Sequence, residues 1–205
     1  MRVLLTLPPE LAAKLAAIYQ KLKEEYNCIA GQISLTCQDC PDNCCDSWFF
    51  HHTYSEWAWL WQGLNQLDEA SLARITARAE DYLQQSEEQL AAGQTPRIMC
   101  PLNEEGRCCI YEHRLLICRM HGIPVALTRP QDKQVLRFPG CFRCQKIVKE
   151  KYSKPDEAPF MDRTHLFSQL AALEAEFLGG SGQLYPKIKK TIAELIVQGP
   201  PAIHL

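Results

Sequence analysis

The sequence has no window approaching 18 consecutive apolar residues, so no helix is expected to span a bilayer and no membrane partner is expected. Blocks of like charge are missing too. Lysine and arginine total 22 against 24 acidic residues, for a net charge of -2 and a pI near 6.3. Without a basic field to grip phosphates, a nucleic-acid partner is not expected. The start, MRVLLTLPPELAAKLAAIYQKLKEEY, lacks a basic n-region, a continuous apolar core and a small-residue cleavage site. A cytoplasmic protein is the expectation. Internal repeats and low-complexity tracts are absent, as are His-Glu-x-x-His, Gly-x-Ser-x-Gly and Gly-x4-Gly-Lys-Ser/Thr, which argues against the common hydrolase and nucleotide sites.

What the chain does have is cysteine, eleven in 205 residues. Hydrophobic residues make up 46%, enough for a core without disulfides. In a reducing compartment clustered thiols hold metal more often than they pair, and an odd count leans the same way.

The periodicity predicts a mainly α protein: one helical domain over 1–205, with an irregular cysteine-rich metal-binding region at about 37–144, flanking N- and C-terminal helices and one short β-hairpin. Leu11, Leu15, Ile18, Leu22 and Tyr26 form a core stripe on a helix opened by Pro8 and Pro9. Ser55 is the expected cap of a helix whose Trp57, Leu60, Trp61 and Leu64 read as core rather than as a binding platform. Asp68 should cap a long helix carrying Leu72, Ile75, Ala79, Tyr82 and Leu83, which Gly93 ends. Val125 to Thr128 and Gln134 to Phe138 read as the hairpin, returning the chain to the cysteines. A helix from Phe160 carries Leu166, Leu170, Leu173 and Phe177 up to the GGSG break at 179–182. Residues 153–159 read as a loop, and an amphipathic segment with Ile188, Ile192, Leu195 and Ile196 closes the chain.

CQDCPDNCC, at 37–45, could be helical by spacing, but Pro41 falls inside it, so a loop is expected. Looped Cys-x-x-Cys lets two thiolates converge on one centre while backbone N–H groups donate to sulfur. The vicinal pairs Cys44–Cys45 and Cys108–Cys109 add something. Neighbouring side chains diverge and do not readily share one small ion, so a polynuclear cluster or a second centre would use both. Ten cysteines are clustered: Cys37, Cys40, Cys44, Cys45, Cys100, Cys108, Cys109, Cys118, Cys141 and Cys144. That is two four-ligand sites with two to spare. Cys28, in an apolar stretch, reads as an ordinary buried thiol.

Four thiolates around Zn²⁺ or a [4Fe–4S]²⁺ core leave a charge of about -2 to be offset. Arg97, Arg107, Arg114, Arg119, Arg137, Arg143 and Lys146 are near the cysteines in sequence, and Arg119, directly after Cys118, is the leading cofactor-binding candidate. His51, His52, His113 and His121 could each replace a thiolate, but ten cysteines make them unnecessary.

The pattern Cys-x2-Cys-x3-Cys-Cys, then Cys-Pro, then Cys-x-Ile-Tyr-Glu-x-Arg-x3-Cys-Arg resembles the YkgJ-type cysteine-cluster family, also described as a zinc- or iron-chelating domain. The resemblance covers residues 37 to about 144, most specifically CCIYEHRLLICR. It aligns Cys108, Ile110, Tyr111, Cys118 and Arg119 with the family motif and puts Cys109 at a variable position, as a spectator. Leu115 departs from the usual proline. The resemblance implies a site of about eight cysteines, often iron–sulfur. It implies no settled reaction, and relatives include flagellin lysine-N-methylases.

The leading expectation is therefore an iron–sulfur protein, of the 4Fe-4S kind, in which Cys37, Cys40, Cys44, Cys45, Cys100, Cys108, Cys118 and Cys141, with Cys144 a rival for the last place, hold one or two clusters and serve a redox partner protein. The alternative is a structural zinc protein with a closed Cys₄ site and a docking surface. A methyltransferase is a third reading, weakened by the lack of a glycine-rich strand-to-helix turn and of the Cys-x3-Cys-x2-Cys order. A cysteine nucleophile ranks last, because a metal would consume the thiolates it needs.

Overall fold

The computed structural model describes residues 2–38, 40, 44–180, 182 and 185–204. In chain order its elements are β1 (Arg2–Leu4), α1 (Pro9–Ile33), α2 (Tyr54–Leu64), α3 (Glu69–Ala91), β2 (Asn103–Glu104), β3 (Arg107–Cys108), α4 (Leu116–Met120), β4 (Val125–Thr128), β5 (Val135–Phe138), α5 (Phe142–Lys151), β6 (Met161–Asp162), α6 (Thr164–Phe177), α7 (Ile192–Val197) and β7 (Ala202–His204). The fold is mainly α. The chain gathers into two compact units, each built from segments distant in sequence. Unit 1 takes Met1–Ala12, Cys45–Ile117 and Glu174–Leu205; unit 2 takes Ala13–Cys44 and Cys118–Leu173.

In unit 1, α2 and α3 bury their expected stripes in one core. Trp57, Leu60, Leu64, Ile75, Ala79 and Tyr82 share it with Leu102, Leu115 and Leu195. The indole N–H groups of Trp57 and Trp61 both donate to the Leu195 carbonyl, at 3.1 and 3.0 Å. The tryptophans are thus committed to packing and hydrogen bonding within the unit. Asp68 caps α3 by accepting from Ser71 N at 2.8 Å, and Gly93, at φ +73°, follows its end, both as expected. The cap of α2 is Thr53, not Ser55. Thr53-x-x-Glu56 supplies the cap, and Ser55 is buried inside the helix. The Glu174 carboxylate accepts from Tyr54 N and Ser55 N at 2.6 and 2.8 Å, placing a negative charge where the helix dipole favours it. β1 pairs antiparallel with β7, Val3 opposite Ile203.

In unit 2, α1 buries Leu15, Ile18, Tyr19, Leu22, Ala30 and Ile33. It runs about two turns beyond the stripe read from sequence, and this overturns the expectation for Cys28. That thiol is exposed, because the stripe continues through Tyr26, Ala30 and Ile33 and turns position 28 outward. Ser34 ends α1 at φ +59°, Leu35 N reaches back to Ala30 O at 2.8 Å, and Lys151 Nζ donates to Ile33 O and Ser34 Oγ. The hairpin forms as β4 and β5, Val125 opposite Phe138. β6 adds a third strand, parallel to β4. α6 buries Leu166, Leu170 and Leu173.

Candidate metal centre

The boundary between the units falls between Cys44 and Cys45, and again between Ile117 and Cys118. It sorts the clustered cysteines into two groups: Cys45, Cys100, Cys108 and Cys109 in unit 1, and Cys37, Cys40, Cys44, Cys118, Cys141 and Cys144 in unit 2. None of them is in a disulfide.

The unit 1 group is assembled around a tight hairpin. β2 and β3 pair Asn103 with Cys108 and Glu104 with Arg107, joined by Glu105 and Gly106 at φ +50° and +84°. Two positive φ values define the turn that closes a two-residue hairpin, and Glu-Gly meets that need at its second position. Cys100 N donates to Cys45 O at 2.8 Å, which brings the two segments together, and Cys109 N donates to Leu102 O at 2.9 Å. Arg97 pairs with Asp46 at 2.7 Å, tying the 3₁₀ turn Cys44–Asp46 to the approach to Cys100. Burial pushes the Cys108 thiol up to about 11, and the nearby thiols of Cys109 and Cys45 add to the rise while Arg114 opposes it. Cys109 is raised by burial and then Glu104, against Arg78.

In unit 2, Cys141 and Cys144 lie at the N-terminus of α5. Cys141 is its N-cap: Cys144 N donates to Cys141 Sγ at 3.5 Å, the N–H···S arrangement expected of a Cys-x-x-Cys knuckle. A thiolate there also faces the positive end of the helix. Cys144 is fully buried, and burial pushes its thiol up to about 12, with Cys141 adding. Cys40 N donates to Cys37 O at 3.3 Å. Arg143 Nη1 donates to Gln38 O at 3.0 Å, so α5 holds the carbonyl between those two cysteines. The expected loop at 37–45 is irregular at Cys37, Gln38 and Cys40; Asp39 and Pro41 to Asn43 lie outside the described residues. Cys118 lies in α4, four residues before Gly122, whose carbonyl accepts from Cys141 N at 3.1 Å.

Tyr26 is the site residue that sequence reasoning missed. Its phenol feels the charge of the Cys37, Cys141 and Cys44 sulfurs. Burial and then those sulfurs raise its pKa well above the ordinary value, so the hydroxyl keeps its proton. The signal available was its polar tip, ending an otherwise aliphatic stripe eleven residues before Cys37.

Arg119 and three of the four candidate histidines have contacts of their own. The Arg119 guanidinium lies over the Tyr19 ring at 4.4 Å. His113 packs beside Trp59, ring centroids 4.6 Å apart, against Gly63, where an added Cβ would be 2.6 Å from the ring. His52 Nδ1 donates to Ile188 O at 3.1 Å, and His51 is buried in unit 1.

Among the described residues no three His, Cys, Asp or Glu side chains are arranged to hold a metal ion. The donors fit zinc or an iron–sulfur cluster in chemistry: soft thiols in groups of four and six, none in a disulfide, with a backbone N–H directed at the Cys141 sulfur in unit 2.

Gly140→Ala tests how tightly the unit 2 loop is built. Gly140 sits at φ +80°, and a Cβ there would be 2.5 Å from Gly122 O and 3.0 Å from Cys144 Sγ. Left-handed backbone alone costs a side chain about 1–2 kcal/mol. The backbone clash adds to it, so a loss of at least about 2 kcal/mol is expected in urea denaturation of the variant. Unchanged stability would mean that the loop relaxes freely.

No protein-family model, curated protein or solved structure matches the chain.

Proposed function

We propose that this is a metal-binding protein of the YkgJ-type cysteine-cluster kind, holding iron–sulfur clusters of the 4Fe-4S type, one in each unit, and exchanging electrons with a protein partner in the cytoplasm. The observation that carries the reading is the division of ten clustered cysteines, none in a disulfide, into groups of at least four, one per unit. In this reading Cys45, Cys100, Cys108 and Cys109 serve unit 1. Cys37, Cys40, Cys44 and Cys141 serve unit 2, with Cys118 and Cys144 its further candidates. A bound cluster supplies one-electron chemistry at a potential set by charge, burial and hydrogen bonds to sulfur. The chain's own part is to hold the thiolates, limit water and offset their charge.

Zinc is the second reading, favoured by the Cys141–Cys144 knuckle, whose N–H···S bond equally suits a closed Cys₄ site that does no chemistry. The deciding experiment is iron, zinc and acid-labile sulfide analysis on protein prepared without oxygen, with visible spectra before and after dithionite. About eight irons and eight sulfides per chain with a bleachable band are expected for two clusters. Zinc alone, without colour or sulfide, would replace the redox reading with a structural one.

A further inference from the structure

Helix α5 has two unlike faces. Cys144 and Val148 are buried in unit 2, while Phe142, Gln145, Lys146 and Lys149, at i, i+3, i+4 and i+7, form the stripe on the other side. Phe142 is 71% exposed, more than any other large hydrophobic residue described. With Glu150, this stripe lines a groove of about 430 Å³. Charge gathers on the same helix: Arg143, Lys146, Lys149 and Lys151 stand against Glu150 alone, in a chain whose net charge is -2. Two of these cations are engaged. Arg143 donates to Gln38 O, and Lys151 to Ile33 O and Ser34 Oγ. Lys146 and Lys149 make no hydrogen bond or ion pair among the described residues, and both are exposed at the groove that Phe142 lines.

Resting on the redox reading above, we propose that this face of α5 docks the protein partner, and that the partner presents an acidic segment with one apolar side chain. Its carboxylates meet Lys146 and Lys149, and its apolar side chain covers Phe142. An aromatic anchor covered on docking supplies most of the affinity, while the charges around it steer the encounter and fix the register. The same helix carries Cys144 and is capped by Cys141, so a partner seated on Phe142 comes up beside those two residues. A membrane suits the face less well. A ten-residue helix with one exposed aromatic offers too little apolar surface to hold to a bilayer, and Glu150 in the groove repels lipid phosphates.

The test follows the fluorescence anisotropy of a labelled helical peptide, with glutamates spaced three and four residues apart around one leucine, as the full chain is added. Binding is expected at low ionic strength and should weaken as salt rises to the physiological level. Lys146→Glu combined with Lys149→Glu should weaken it at least about tenfold, and Phe142→Ser about tenfold. All three side chains are exposed, so the variants are expected to fold. Lys21→Glu combined with Lys23→Glu makes the same charge change at exposed positions of α1 in the same unit and should leave binding unchanged. A wild type that does not bind, binding that survives the Lys146 and Lys149 reversal, or an equal loss in the α1 control would overturn the proposal. So would capture of phosphatidylserine vesicles through the same residues, which gives the face to a membrane. Self-association in sedimentation that the reversal abolishes would give it to a second copy instead. Iron and sulfide analysis of the same preparations tests the redox reading separately: a protein that binds the peptide but holds zinc without sulfide keeps the docking face and loses the electron transfer.

Discussion

Cys44→Ser and Cys45→Ser, adjacent in sequence, are each expected to remove about half of the bound metal, from different units. The unit boundary passes between them. Cys45 belongs with Cys100, whose N–H it receives at its carbonyl, and with Cys108, whose thiol it helps to raise. Cys44, with Cys37 and Cys141, acts electrostatically on the Tyr26 phenol of unit 2. Neighbouring side chains diverge in ordinary backbone geometry, so a vicinal pair suits two centres better than one. A serine hydroxyl is a poor ligand where a thiolate is required, so each variant should lose its own centre. Metal and sulfide per chain measure the loss, and the double variant should lose nearly all. Complete loss from either single variant would show one shared centre. Cys109→Ser sharpens the test: the unit 1 group reaches four thiols only with Cys109, so its removal should weaken that centre, whereas the family resemblance makes Cys109 a spectator. Cys28→Ser, exposed on α1, should keep all the metal.

Most helices were legible because their signals are local. The stripe of α1, the Asp68 cap of α3 and the β-branched runs of the hairpin each depend on residues within a few positions of one another. The shortfalls have separate physical causes. Thr53 and Ser55 can both cap, and the choice turns on which hydroxyl faces the free N–H of Glu56. β6 is two residues long and shows no period; it forms because Met161 N reaches Pro124 O. β1 and β7 pair the two ends of the chain, a partnership no local pattern encodes.

The site was legible in its donors and less so in its grouping. Spacing marked the ten clustered thiols, but which of them belong together depends on where the chain crosses between units, at residues 44–45 and 117–118. Adjacency in sequence pointed to Arg119, which lies over Tyr19, while Arg143, an equally near cation, reaches the Cys37–Cys40 loop from α5. Tyr26 was hidden by its own helix. At helical spacing a tyrosine reads as core, and only the folded turn at Gly122 brings backbone up against its oxygen.

A steep acid limb in the stability of unit 1 is the other large effect, and it traces to His51. The side chain is 3% exposed, and its Nε2 lacks a hydrogen-bond partner among the described residues. Reciprocal backbone bonds with Lys190, at 2.7 and 3.0 Å, fix the residue in place. Burial first, and the neighbouring His52 second, lower its pKa from 6.5 to about 3. Above pH 6.5 His51 is neutral folded and unfolded and adds no pH dependence. Between pH 6.5 and 3 the unfolded chain binds a proton that the native state refuses, so stability falls with pH by up to about 1.4 kcal/mol per unit. By pH 4.5 the loss approaches about 3 kcal/mol, a large part of the roughly 5–15 kcal/mol that holds an ordinary domain together. His51→Leu removes the titrating group and fills the space with apolar atoms. All four tryptophans, Trp48, Trp57, Trp59 and Trp61, belong to unit 1, so urea unfolding followed by their fluorescence reads this unit. The variant should match or exceed wild-type stability at pH 7 and diverge upward from it as the pH drops, because the wild type alone carries the proton-linked loss. Parallel acid limbs in the two proteins would show that other groups set the acid sensitivity.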